Sequence, residues 1–159
     1  MKKALTLLLA MTLVLSMGVV AFAGGGEKTT EVSYTTATTY VVTVPAAQEF
    51  TSSTVSTSGK VEAKDVLIED GKQLKVSVQS ANDGKLTYEC SEIAYTATCN
   101  SATVNDTQAH VVLTVAAGIT SGEATLNFAT DSNKIAAATK AGKHVDTLTF
   151  TCEVVTATT

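Results

Sequence analysis

"KQLKVSVQSANDGKLTY", residues 72–88, decides the fold class. From Gln73 to Gln79 the apolar Leu74, Val76 and Val78 alternate with Lys75 and Ser77, and a period of two puts the first three on one face of a strand and the others on the opposite face. Asn82-Asp83-Gly84 follows, and these residues tolerate the positive φ of a tight turn better than any others. The stretch therefore predicts a strand, a hairpin turn, and a second strand over Lys85 to Cys90 with Leu86, Tyr88 and Cys90 on one face.

The same grammar extends in both directions. Upstream, Glu69-Asp70-Gly71-Lys72 reads as a turn, residues 54–63 as a polar strand, and Tyr40, Val42 and Val44 as one face of an opening strand that Pro45 ends, since proline cannot donate to a ladder. Downstream, Ile93, Tyr95, Ala97 and Cys99 share a face, and strands are expected over residues 110–117, 124–130 and the closing "HVDTLTFTCEVV" from His144 to Val155. In that last strand Leu148, Phe150, Cys152 and Val154 point inward. Only "DSNKIAAATKAGK" (residues 131–143) has helical character, with Asp131 or Ser132 as its cap and Gly142 at its end. Abundant threonine and valine suit pleated strands rather than helices. About eight short strands separated by turns predict an all-β chain of two packed antiparallel sheets, a β-sandwich.

The first residues, "MKKALTLLLAMTLVLSMGVVAFAGGG", place Lys2 and Lys3 ahead of an apolar run and end it with Ala21-Phe22-Ala23. That is the form of a secretory signal peptide over residues 1–23. A flexible leader over residues 24–39 and a domain over residues 40–159 follow, so the expected location is extracellular, free or on the cell surface, with no membrane contact once the signal is cut. Without Lys2 and Lys3, nine lysines face fifteen acids, a net charge of −6, and the chain has no arginine and no tryptophan. Nucleic-acid binding, which needs clustered basic side chains and stacking aromatics, is excluded as an expectation.

Chemistry-bearing residues are few. An oxidising compartment permits disulfides, and three cysteines allow one intramolecular bond. Cys90–Cys99, across a hairpin around Ser91 and Glu92, is the first candidate pair, a bond from Cys152 to either is the second, and three unbonded thiols the third. Cys152 itself reads as a buried or free thiol. His144 and Cys152 lie eight residues apart, about 26 Å along one strand, too far for a catalytic pair. His144 and Asp146 share a face at the start of the last strand and read as a solvated turn. Cys99, Cys152, His110 and His144 lack metal-ligand spacing, and the acids Glu62, Asp65, Glu69 and Asp70 lack a calcium loop. No catalytic residue, metal or cofactor is expected.

Four stretches taken together, "TTYVVTVPA" (38–46), "GKVEAKDVLIEDGKQLKVSVQS" (59–80), "NDGKLTY" (82–88) and "AGKHVDTLTF" (141–150), resemble small secreted immunoglobulin-like sandwich proteins of Gram-positive bacteria. The closing motif is also similar to spore-coat-U and fimbrial-subunit domains. The resemblance runs from about Tyr34 to Val155 and implies an immunoglobulin-like fold and a non-enzymatic surface, appendage or matrix component; fimbrial relatives polymerise by donating a terminal strand. His144 and Cys152 depart from the pattern, which has an aromatic residue and valine there, and the segment between Cys90 and Cys99 lies outside it.

The expected role is thus a structural protein that self-associates or joins other envelope proteins. The leader is its candidate donor strand, with Val32 and Tyr34 as the residues that would pair. The alternative is a module that binds a glycan or peptide through loops at one end of the sandwich.

Overall fold

The computed structural model describes residues 31–158. The expected signal peptide and the first residues of the expected leader lie outside the described residues. Ten strands and one short helix follow one another: β1 (Thr39–Thr43), β2 (Ser56–Leu67), β3 (Lys72–Ser80), β4 (Lys85–Tyr88), β5 (Ser91–Ala94), β6 (Thr96–Cys99), β7 (Ala102–Thr103), β8 (His110–Ala116), β9 (Gly122–Ala129), α1 (Ser132–Ala136) and β10 (Leu148–Thr156). The chain is all-β and its strand pairs are antiparallel.

Three sheets form: a five-stranded one in the order β1-β2-β9-β6-β7, a three-stranded one in the order β10-β3-β8, and a β4-β5 ribbon. The two larger sheets bury a common core. Val42, Val61, Ala63, Leu126 and Phe128 come from the first, and Leu74, Val76, Val78 and Val115 from the second. Alternation places them: Leu74, Val76 and Val78 are at most 1% exposed, while Lys75 and Ser77 between them are only half-buried.

Two bulges reset that alternation. In β2 the inward set is Val61 and Ala63, then Val66; Asp65 takes φ 52° and the pairing with β1 slips there, so one extra residue is absorbed and Val66 turns inward. In β8 the partners of Val76 and Ser77 are Leu113 and Val111. Val112 is the extra residue, which lets neighbouring Val112 and Leu113 both be buried.

The turn at Asn82-Asp83-Gly84 takes the predicted backbone, with Asp83 at φ 54° and Gly84 at φ 70°, but it does not make a hairpin. β3 pairs with β10 and β8, whereas β4 pairs with β5. The turn carries the chain out of one sheet and into the ribbon, because β3 is already flanked on both sides. The hairpin of this region lies one step later: Tyr88 faces Ser91, and Glu89 (φ 51°) and Cys90 form its turn. It is not centred on Ser91 and Glu92.

That shift, and the continuity of the strands beyond it, rules against the Cys90–Cys99 bridge. Ser91, Ile93, Tyr95, Ala97 and Cys99 are all buried, alternating without a break through β5, Tyr95 and β6. Cys90 and Cys99 stand at opposite ends of this extended run, about 30 Å apart at strand rise, where a disulfide needs Cα atoms within about 7 Å. All three cysteines are free: Cys90 is exposed, Cys99 buried, and Cys152 half-buried against the core.

α1 is a single short turn. Asp131 caps it by accepting from the Asn133 N–H at 2.7 Å, and it ends at Ala136, well before Gly142. Residues 137–147 then run irregularly to β10 as a strap.

Candidate functional site

The strap and the loop after β1 (residues 44–50) face each other across a cleft of about 660 Å³. Its apolar surface includes Phe50, Leu86, Ile93, Phe128, Leu148 and Phe150. Pro45 can lie over β2 because residue 59 is glycine: a Cβ there would fall 2.5 Å from the Pro45 Cβ. β10 reaches the cleft with the same face that enters the core, so Leu148 and Phe150 line it while Cys152 and Val154 pack further along.

Two polar residues of the cleft, Asp146 and Tyr95, are tied to one another. Asp146 is half-buried, and its carboxylate accepts from Ser80 Oγ at 2.6 Å, Tyr95 Oη at 2.7 Å, the Thr147 N–H at 2.7 Å and the Asn82 N–H at 3.1 Å. Burial, then the bond and charge of Asp146, push the Tyr95 phenol well above its ordinary range. Tyr95 also donates its N–H to Gly84 O at 2.9 Å and accepts from Asn105 Nδ2 at 3.0 Å on its own carbonyl. Gly84 is bare of a side chain here for good reason, since a Cβ would lie 2.5 Å from Asn105 Nδ2.

His144 is held separately. Its Nδ1 lies 3.1 Å from Gly142 O, which can only accept, so Nδ1 carries a proton, and in the neutral ring Nε2 accepts from Ser91 Oγ at 2.8 Å. The Thr139 N–H donates to the same hydroxyl at 3.1 Å, and the Tyr88 ring tilts against the imidazole at 5.8 Å. Ser91, His144 and a carbonyl on Nδ1 have the outline of a hydrolytic dyad. A nucleophile must meet its substrate, however, and Ser91 is 1% exposed and does not line the cleft.

The solvated-turn reading of His144 and Asp146 is therefore corrected. Both are half-buried and both anchor the strap, through partners distant in sequence: Ser80, Tyr95 and Ser91 lie 66, 51 and 53 positions away from the residues they bind. Sequence reasoning missed Tyr95, Ser80 and Ser91 as polar residues of the site. The available signal was a serine or a tyrosine hydroxyl at an inward position of a strand, which needs a partner when buried.

The other candidates are scattered. His110 pairs with Asp106 at 2.8 Å at the start of β8. Cys99 Sγ donates to Val112 O at 3.6 Å, and burial raises the thiols of Cys99 and Cys152 above their ordinary range. Among the described residues no three His, Cys, Asp or Glu side chains gather as a metal set. Val32 and Tyr34, on the segment ahead of β1, are 92% and 79% exposed. No protein-family model, curated protein or solved structure matches the chain.

Proposed function

We propose that this chain is a secreted, non-enzymatic structural protein of the cell surface or extracellular matrix, built on an immunoglobulin-like sandwich and assembling by strand donation. One pairing of features carries the reading. Val32 and Tyr34 stand in water on a segment outside every sheet, while β10, nine residues long, is bonded among the described residues on one side only, to β3. An edge strand is a template for another chain, and two apolar side chains spaced by two suit a strand that would cover it. Donor and acceptor are different surfaces, so such a contact need not close on itself and can extend.

The test is deletion of residues 24–38, which stops short of β1. Light scattering and negative-stain electron microscopy of the full secreted protein should show assemblies that the deletion loses while its circular dichroism and melting midpoint persist. A secreted protein that stays monomeric at high concentration, or filaments that survive the deletion, would sink the reading.

A second reading, a loop-based binding module, is favoured by one observation, the cleft between the 44–50 loop and the strap.

A further inference from the structure

We infer that the cleft between the 44–50 loop and the strap is a binding site for an electrically neutral, hydrophobic small molecule. This goes beyond the assembly reading and does not depend on it, because none of residues 31–38 lines the cleft.

Size and lining argue for a guest. Protein interiors seldom leave voids much larger than a water, and an unfilled apolar surface forfeits the contacts a guest would supply. At about 660 Å³, with three phenylalanines among its walls, the cleft falls in the range of small-molecule sites, about 300–1,000 Å³. Its mouth is formed by exposed residues of two irregular segments, including Ala47 on one side and Lys143 on the other.

Charge decides the class of guest. Inside, the Asp146 carboxylate is occupied by four donors and both ring nitrogens of His144 are engaged. No buried side-chain polar atom among the described residues lacks a partner. At the rim Lys140 is paired with Glu89 at 3.6 Å, and the exposed Lys143 on the strap and Glu49 on the facing loop carry opposite charges. A charged head carried past the rim would thus enter an apolar space whose interior charges are already engaged, and an unpaired buried charge is strongly disfavoured. A neutral chain or ring system meets no such penalty.

The probe is N-phenyl-1-naphthylamine, a neutral dye that fluoresces in apolar surroundings, titrated into the purified protein. Saturable emission is expected, displaced by dodecanol, with dodecanoate and dodecylammonium about tenfold or more weaker as competitors. Two filling variants approach the space from opposite walls, Ala138→Trp on the strap and Ala47→Trp on the exposed loop. Each should abolish the emission while circular dichroism and the melting midpoint hold, and Ala47→Trp keeps the test decisive if Ala138→Trp fails to fold. Absence of saturable emission, equal competition by a charged amphiphile, or full binding in a folded Ala47→Trp protein would each overturn the inference.

Discussion

Tyr95 Oη donates to Asp146 Oδ2 at 2.7 Å across 51 positions of sequence, joining the segment between two sheets to the strap that precedes the last strand. Asp146→Ala removes the acceptor for Ser80, Tyr95 and Asn82 at once. With partial access of water to replace it, a loss of about 2–3 kcal/mol is expected, against about 1 kcal/mol for Tyr95→Phe. Urea denaturation of both variants and their double mutant checks this. Because the two share one bond, the double mutant should lose less than the two losses combined.

Tyr95 also gives stability a dependence on alkaline pH. Its phenol holds its proton to higher pH in the folded state than the ordinary value of 10.0. The contribution is therefore complete below about pH 10 and is lost as pH rises through the elevated folded-state range, where the unfolded chain ionises first. Thermal midpoints measured between about pH 9 and pH 11 should fall more steeply in the wild type than in Tyr95→Phe.

The three thiols should separate by access. Cys90 is exposed on the β4–β5 turn, while Cys99 and Cys152 are covered and burial disfavours their thiolates. Iodoacetamide at neutral pH is expected to add one label to the native protein, at Cys90, and three after denaturation. Peptide mass mapping reads this directly. Native protein that takes up label only after reduction would contradict the free thiols.

Gly59 tests the wall of the cleft. A methyl at this position would overlap the Pro45 ring, and overpacking of this kind costs about 1–3 kcal/mol. Gly59→Ala should therefore be destabilised by that order in urea, and Gly59→Ala with Pro45→Gly should recover part of the loss.

Much of the fold was legible because period-two alternation is local. Leu74, Val76, Val78 and the run from Ile93 to Cys99 were placed on the correct face by spacing alone. The pairing of strands was not legible, since Asn82-Asp83-Gly84 specifies a turn but not which sheet the chain enters next. The polar residues of the cleft were hidden for the same reason. His144 and Asp146 look like an isolated pair beside a glycine, and only the tertiary structure brings Ser91 to one and Ser80 with Tyr95 to the other. The bulges at Asp65 and Val112 were equally invisible, because an extra residue in a valine-rich strand leaves no mark on composition.

Tyr95 alone separates β5 from β6, and its three polar groups go to three different connections: the N–H to the turn at Gly84, the carbonyl to Asn105 before β8, and the hydroxyl to Asp146 before β10. None of these connections can swing away without breaking a bond to the same residue. Amide hydrogen exchange in the three should consequently share one opening free energy, so that this end of the molecule breathes as a single cooperative unit rather than loop by loop.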